Sequence, residues 1–365
     1  MRIVVNPLAS RGTYSEREAI VISHSLARDA YREIGQWPEY AVTPLLRLRK
    51  LAATLGVSEL FYKDESGRLG QGSFKTLGGA YAATLKLRTL PSTEAVTLCC
   101  ATDGNHGRSV AFAAKRHGCN CVVFMHEHAP FDKERAIAGL GAHVVRVPGT
   151  YDDSVRHARD MAKEKGWLLV PDTSDDALDP TARHVMQGYG VMMLEILQQL
   201  EQYNRPTHVF VQGGVGGLAA AAAGMLAEAY GPNRPTFVVV EPEAAAGLLQ
   251  SALQGTPATV GGDLRTAMEM LSTGEASPVA WPVLKERADV FLAIDDAVAV
   301  DTARALVAGS QEAPIDVGVS GAAGLAGLVA LLRHREAAGL LGLGADSKIL
   351  VFGTEQSSRD AGALT

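Results

Sequence analysis

The feature that most constrains this chain of 365 residues is a regular alternation of short apolar runs with helix-like segments. The apolar runs are bounded by glycine or proline, and they predict buried strands over 96–101, 121–125, 143–147, 168–171, 208–212, 236–241 and 349–352. The segments between them predict helices over 108–117, 131–140, 151–165 and 218–230. Strands that alternate with helices form parallel sheets covered on both faces, so the sequence predicts an α/β fold.

Two glycine-rich turns each follow a predicted strand and open a predicted helix. The first is Ala-Thr-Asp-Gly-Asn-His-Gly over 101–107, and the second is Gln-Gly-Gly-Val-Gly-Gly over 212–217. Such a turn presents free backbone N–H groups at the positive end of a helix, which suits an anion. Neither turn alone distinguishes an anion site from a tight connection. The second turn lacks the features of a dinucleotide site and the Lys-Ser/Thr ending of a nucleotide P-loop, which disfavours both.

Composition excludes several classes of function. The chain has a formal net charge of −6, so a surface for nucleic acid is not expected. No apolar run approaches the roughly 20 residues that span a bilayer, and the first ten residues do not predict a signal peptide. These features predict a cytoplasmic protein with neither a membrane nor a nucleic acid as partner.

The sequence predicts no metal site. The four cysteines lie at 99, 100, 119 and 121, without paired spacing and nearby histidines. His126 and His128 stand two residues apart after a predicted strand, and a polar loop is a better interpretation of them than a metal pair.

Lys75 follows a polar turn and begins an apolar, alanine-rich segment. Alone, this pattern is typical of a surface lysine at a helix start. Its neighbours change the interpretation, because they resemble motifs of the fold-type II pyridoxal-phosphate enzymes in the same order. These motifs are Thr-Pro-Leu over 43–45, Lys-Asp-Glu over 63–65, Ser-Phe-Lys over 73–75 and both glycine turns. That family includes serine and threonine dehydratases, threonine synthase, cysteine synthase and the tryptophan synthase β chain.

The resemblance implies an architecture and a cofactor. Fold-type II enzymes have two parallel-rich, three-layer α/β/α domains with the active site in the cleft between them. We expect a large cofactor-binding domain over 1–84 and 192–365, and a small substrate-loop domain over 85–191. Pyridoxal 5'-phosphate is the expected cofactor, a small amino acid the expected substrate, and a homodimer the expected assembly.

The resemblance also assigns cofactor contacts. Lys75 is expected to form a Schiff base with the cofactor aldehyde, and the second glycine turn to cradle its phosphate. Asn105 is the expected partner of the ring hydroxyl, and Thr354, with Ser357 behind it, of the ring nitrogen. The predicted cofactor-binding residues are therefore Lys75, Phe74, Asn105, Gly213, Gly214, Val215, Gly216, Gly217 and Thr354.

The first glycine turn resembles the family's substrate-carboxylate loop. The predicted substrate contacts are Thr102, Asp103, Gly104, His106 and Asp172. His106 also suits a role in holding the turn. Asp103 is typical of diaminopropionate ammonia-lyases, since most other members of the family have serine there. The chain departs from those lyases after Asp172-Thr173 and after Thr354-Glu355, where Gln356-Ser357 follows.

The expected reaction is α,β-elimination of 2,3-diaminopropionate to pyruvate and ammonia, with Lys75, Asp103 and Asp172 as catalytic residues. Lys75 is the natural base on one face of the substrate Cα, Asp103 is the candidate base on the other, and Asp172 recognises or protonates the β-ammonium group. Dehydration of serine, threonine or hydroxyaspartate and β-replacement are the alternatives on the same scaffold. A pyridoxal-phosphate-binding protein without turnover and a nicotinamide oxidoreductase explain the motifs less well.

Overall fold

The computed structural model describes residues 1–102, 104–203, 205–310 and 312–358, so that Asp103 lies outside the described residues. The strands are β1 (Arg2–Val5), β2 (Leu45–Arg47), β3 (Glu59–Asp64), β4 (Thr97–Ala101), β5 (Asn120–His126), β6 (His143–Val147), β7 (Leu168–Leu169), β8 (His208–Gln212), β9 (Thr236–Pro242), β10 (Val290–Ile294) and β11 (Lys348–Gly353). The helices are α1 (Glu16–Ala19), α2 (His24–Ile34), α3 (Arg49–Leu55), α4 (Lys75–Arg88), α5 (Asn105–His117), α6 (Phe131–Ala138), α7 (Tyr151–Lys165), α8 (Pro180–Leu200), α9 (Gly217–Tyr230), α10 (Gly247–Gln254), α11 (Trp281–Arg287), α12 (Asp296–Val307), α13 (Val319–Leu332) and α14 (Arg335–Leu340).

The strands form two sheets. The larger has the order β1-β10-β9-β8-β11-β3-β2, and the smaller has the order β6-β5-β4-β7. All pairs in the smaller sheet are parallel, whereas β1 and β2 add antiparallel edges to the larger one. Every residue of β8 and β10 is buried, as expected of strands with helices on both faces. No helix within the described ranges is long and apolar enough to cross a membrane.

One cluster of buried apolar side chains is continuous across both sheets. It includes Leu98 and Val123 of the smaller sheet together with Val211 and Phe352 of the larger. A second cluster fills the opposite face of the larger sheet against α12 and α13. The two sheets therefore share one hydrophobic core.

The predicted α/β fold is confirmed. The strand predicted over 143–147 and the helix predicted over 151–165 have the observed bounds, while α5 begins three residues earlier than predicted, at Asn105. The strand predicted over 168–171 is shorter, because β7 ends at Leu169. The smaller sheet falls inside the predicted small domain, whose boundaries at 85 and 191 stay a prediction.

Glycines let α8 pack closely against α4. A Cβ atom at Gly78 would lie 2.4 Å from Cε1 of Tyr189, and one at Gly188 would lie 2.3 Å from the carbonyl oxygen of Leu77. Real Cβ atoms essentially never lie within 3.0 Å of a non-bonded heavy atom, so both helices need glycine at these crossings. This contact fixes Tyr189 beside the first turn of α4, where Lys75 lies.

A buried group of charges anchors the segment that precedes Lys75. Arg68 donates to the carboxylates of Glu65 and Glu195, each at 2.7 Å, and Lys63 Nζ lies 2.7 Å from Glu195. All four side chains are almost fully buried, and their formal charges cancel. Glu195 thus contacts two cations of the protein itself, and it ties α8 to the end of β3.

Candidate active site

A cavity opens where strands of both sheets end. The carboxyl ends of β4, β8 and β11 lead into the first glycine turn, the second glycine turn and Thr354, respectively. Ligands in parallel α/β proteins bind at this end of the strands. Its lining includes Phe74, Lys75, Thr102, Gly104, Asn105, His106, Tyr151, Asp172, Tyr189, Gln212, Gly214, Val215, Gly216, Gly217, Met270, Thr273, Ser320, Thr354 and Glu355.

Lys75 and Asp172 form an ion pair in this cavity, with 2.9 Å between Nζ and Oδ2. Burial raises the pKa of the Asp172 carboxyl, but the Lys75 ammonium outweighs it and brings that pKa down to about 2. Burial lowers the pKa of Lys75, and the Asp172 carboxylate outweighs it, so the pKa of Lys75 lies above its ordinary value. The lysine is therefore held as an ammonium in the absence of ligands.

Two aromatic residues flank the lysine. The rings of Phe74 and Tyr189 pack with their centroids 4.8 Å apart. The Tyr189 hydroxyl is buried and interacts with Lys75. Burial raises the pKa of Tyr189 to about 12, so the hydroxyl keeps its proton at neutral pH.

The first glycine turn is held from within. Thr102 Oγ1 accepts hydrogen bonds from the backbone N–H of Gly104, at 2.9 Å, and of Gly107, at 3.1 Å. Gly104 has a φ of +155°, a conformation that favours glycine. The turn therefore presents the start of α5 to the cavity, with Asp103 at a position outside the described residues.

His106 ties this turn to the strand end that carries Asp172. Its Nε2 lies 2.7 Å from the carbonyl oxygen of Val170, which accepts only, so Nε2 carries the proton. Burial lowers the pKa of His106 and keeps the ring neutral. Nδ1 is then an acceptor, buried and unpartnered among the residues the structure describes. His106 both holds the turn and lines the cavity.

The second glycine turn places four of its five predicted residues against the cavity. Gly214, Val215, Gly216 and Gly217 line it, with Gly216 at a φ of +102°. Gly213 lies behind them, where its N–H donates to the carbonyl of Val240 at 2.8 Å. The first turn of α9 has backbone N–H groups without helical partners, so it can receive a phosphate.

Thr354 lines the opposite wall. Its Oγ1 accepts from Gln212 Nε2 at 2.7 Å, which leaves the hydroxyl proton available to the cavity. Ser357 instead bonds to Asp316 through both its N–H and its hydroxyl. Of the two hydroxyls predicted for the ring nitrogen, the structure brings only Thr354 to the cavity.

The lining contains residues that the sequence predictions missed. Tyr151, Gln212, Thr273 and Glu355 are among them, and Asn105 donates its amide N–H to Glu355. No sequence signal joins Glu355 to Asn105, because they are 250 positions apart. No group of three His, Cys, Asp or Glu side chains in the described parts of the chain is arranged to hold a metal ion.

The cavity fits the cofactor that the sequence resemblance implies. The hydroxyl of Thr273 is buried without a protein partner in the described ranges, and a Cβ atom at Gly214 would lie 3.4 Å from it. Buried polar groups are normally hydrogen-bonded, so this hydroxyl calls for a ligand that accepts a hydrogen bond. A phosphate at the glycine turn would supply such an acceptor beside Thr273, and Lys75 supplies the amine for an aldehyde.

Known proteins resemble the chain over nearly its whole length. A family model described as pyridoxal-phosphate dependent enzyme matches residues 37–351. Diaminopropionate ammonia-lyase of Escherichia coli (strain K12) is 36% identical over 350 residues, which cover 90% of this chain and 87% of that protein. An L-threonine dehydratase of Haemophilus influenzae is 34% identical over 185 residues, but these cover 51% of this chain and 33% of that protein.

Solved structures agree in fold. A crystal structure of the Escherichia coli diaminopropionate ammonia-lyase, in complex with an aminoacrylate-PLP azomethine reaction intermediate, superposes with a TM-score of 0.90 and 34% identity, covering 100% of this chain and 95% of that one. The predicted fold-type II architecture and the predicted cofactor are thereby confirmed. The chain belongs to the family of pyridoxal-phosphate dependent enzymes.

Proposed function

We propose that the protein is a diaminopropionate ammonia-lyase, which converts 2,3-diaminopropionate to pyruvate and two ammonia molecules. The observation that carries this proposal is the Asp172 carboxylate, held 2.9 Å from Lys75 Nζ in the cavity. A carboxylate whose pKa is about 2 stays charged at neutral pH, and it suits a substrate with a second ammonium group. A hydroxyl leaving group has no charge for Asp172 to bind.

The residues that would hold the cofactor follow strands of both sheets. Lys75 offers its amine, and the backbone N–H groups over 214–217 suit the phosphate. Asn105 and Thr354 line the same cavity, where they would meet the ring hydroxyl and the ring nitrogen. When bound, pyridoxal 5'-phosphate supplies an electron sink for negative charge that develops on the substrate Cα. The chain itself supplies the groups that bind and move protons.

Lys75 is the proposed base for the Cα proton. A base must be neutral before it accepts a proton, whereas the ion pair with Asp172 favours the ammonium form. A substrate β-ammonium that takes the place of Lys75 beside Asp172 removes the interaction that raises the lysine pKa. Burial, which lowers that pKa, remains. Binding of the correct substrate therefore prepares the base.

Proton transfer then accompanies the elimination. Lys75 Nζ accepts the Cα proton, the electron pair of that bond forms the Cα–Cβ double bond, and the Cβ–N bond breaks with its electrons on nitrogen. Asp172 keeps the leaving amine in its protonated form until the bond breaks. The three-carbon product takes up water, which yields pyruvate and a second ammonia.

Product analysis tests this function. The protein is incubated separately with L- and D-2,3-diaminopropionate, serine and threonine, and pyruvate and ammonia are measured. We expect turnover of diaminopropionate with two ammonia per pyruvate. Turnover of serine or threonine alone would favour a dehydratase on the same scaffold, which is the second candidate because threonine dehydratases share half of the chain.

The proposed role of Asp103 concerns stereochemistry. The sequence has an aspartate at position 103, in the glycine turn before α5, where the resemblance to fold-type II enzymes leads to an expectation of serine. We propose that Asp103 is the base on the face opposite Lys75, which lets both stereoisomers react. Asp103→Ser is expected to abolish turnover of one isomer selectively. An equal loss for both isomers would contradict the two-face mechanism.

We also propose that the protein acts in the cytoplasm as a homodimer. The support is the resemblance of its motifs to fold-type II enzymes and the composition of the chain. Light scattering of the purified protein tests the assembly, with a mass of about twice 38.5 kDa as the expected result.

A further inference from the structure

Glu355 joins the segment before Lys75 to the end of β11 in the larger sheet. Its backbone forms an antiparallel bridge with Ser73, two residues before Lys75. Phe74 N–H donates to the carbonyl of Thr354 at 3.1 Å, and Gln356 N–H donates to that of Gly72 at 2.9 Å. The position of Glu355 relative to Lys75 is therefore set by a short backbone ladder rather than by a flexible loop.

The Glu355 side chain reaches from this ladder to the first glycine turn. It is only 6% exposed, and its Oε2 accepts a hydrogen bond from Asn105 Nδ2. A carboxylate only accepts, so the Asn105 amide must present its NH2 group to Glu355. One N–H of Asn105 is thus committed, and the second N–H and the amide oxygen are held in one orientation at the cavity wall.

Lys133 of α6 supplies an opposite charge. Its Nζ lies 3.9 Å from Glu355 Oε2. Its alkyl chain packs over the first glycine turn, where a Cβ atom at Gly104 would lie 3.0 Å from it. Glu355 is thereby paired with a cation at the wall of the cavity, and the contact joins α6 to the end of the larger sheet.

We infer that Glu355 is a positioning residue that orients the Asn105 amide toward the cofactor ring and fixes its distance from Lys75. The inference deepens the proposed function, because it rests on the role proposed for Asn105 at the ring hydroxyl. A side-chain oxygen that reaches Asn105 and accepts its N–H fixes which way the amide faces. Without Glu355 the amide is free to turn, and the ring loses a fixed donor.

The test measures cofactor binding, which is independent of the substrate. Equilibrium dialysis of the full-length holoenzyme gives the dissociation constant of pyridoxal 5'-phosphate, and absorbance spectra across pH report its surroundings. We expect Glu355→Ala to weaken binding about tenfold and to shift the spectrum. Glu355→Gln keeps a side-chain oxygen that accepts from Asn105, so it is the matched control and is expected to stay within about twofold of the wild type.

A second comparison separates positioning from a general loss of structure. Asn105→Ala removes the oriented group, so Glu355→Ala added to it is expected to weaken cofactor binding no further. Independent, additive losses would overturn the inference, as would a Glu355→Ala protein that binds the cofactor like the wild type. An equal loss in Glu355→Gln and Glu355→Ala would also overturn it.

Glu355→Asp keeps the charge but shortens the side chain by one methylene. It is therefore expected to lose Asn105 and to weaken cofactor binding as Glu355→Ala does. This variant carries the test if Glu355→Ala fails to fold. Binding by Glu355→Asp at the wild-type level, with the wild-type spectrum, would show that the reach of the carboxylate does not matter. Because no substrate is present, failure of diaminopropionate turnover does not affect either result.

Discussion

Lys75 Nζ lies 2.9 Å from Asp172 Oδ2, although the two residues are 97 positions apart in sequence. Each charge shifts the pKa of the other in the direction opposite to the effect of burial, and the shift is larger than that effect. Burial alone would favour two neutral groups, yet the pair holds an ammonium and a carboxylate. A substrate ammonium can therefore take the place of the Lys75 ammonium beside the Asp172 carboxylate.

Asp172→Asn tests the use of that arrangement for substrate selection. The amide has no charge for the β-ammonium, so kcat/KM for diaminopropionate is expected to fall by about 10² to 10³. Any turnover of serine is expected to fall far less, since its hydroxyl is neutral. Steady-state kinetics with both substrates check this prediction. If kcat/KM falls by the same factor for both substrates, Asp172 does not distinguish the ammonium leaving group from the hydroxyl.

The pH dependence of stability tests the same pair in the cofactor-free protein. The lowered pKa of Asp172 means that its contribution to the free energy of unfolding is present above its ordinary value of 3.8 and is lost as the pH falls toward about 2. The raised pKa of Lys75 means that its contribution is present below 10.5 and is lost at higher pH. Urea unfolding is expected to give a difference of about 2 kcal/mol between wild type and Asp172→Asn from pH 5 to pH 9, shrinking below about pH 4. A constant difference down to pH 2 would contradict the assignment.

Tyr189→Phe tests the buried hydroxyl that interacts with Lys75 in the cavity. Its removal is expected to change the free energy of unfolding of the cofactor-free protein by at most about 1 kcal/mol. Turnover is expected to fall about tenfold, because the hydroxyl lies beside the proposed base. Tyr62→Phe is the matched control, because its hydroxyl is also buried but lies outside the cavity lining. An equal loss of turnover in both variants would show that the loss does not depend on the position of Tyr189 in the cavity.

Gly78→Ala tests the crossing of α4 and α8. The new Cβ atom would lie 2.4 Å from the Tyr189 ring and 2.6 Å from the carbonyl oxygen of Val185, so a loss of about 3 kcal/mol is expected. Gly339→Ala in α14 is the control, because nothing lies within 4 Å of its Cβ position. The control is expected to be neutral or to stabilise by up to about 1 kcal/mol. Thermal or urea unfolding of both variants checks the difference.

The fold was predictable from short, contiguous signals, and the cofactor from the resemblance of such motifs to those of fold-type II enzymes. A buried strand, a glycine turn and the start of a helix follow one another at 208–217, so the pattern is local. Four strands were not predicted, namely β1, β2, β3 and β10. The residues of β1 and β2 are partly exposed and lack the long apolar runs of the central strands, whereas β3 and β10 are largely or fully buried.

The side-chain partners in the cavity could not be predicted in the same way. Gly213 belongs to the glycine motif, but its N–H is used by Val240, a contact that depends on how β8 and β9 pair. Glu355 reaches Asn105 only because the chain after β11 pairs with the segment before Lys75. Such contacts follow from tertiary packing, which no local pattern encodes.

The four buried charges in front of the lysine restrict how this part of the chain can diverge. Loss of any one of Lys63, Glu65, Arg68 or Glu195 strands an opposite charge in the core, at a cost of about 3 to 5 kcal/mol. A protein of ordinary stability survives few changes of that size. Among descendants of a common ancestor, these positions are therefore expected to be inherited as a set, with replacements arriving in compensating pairs.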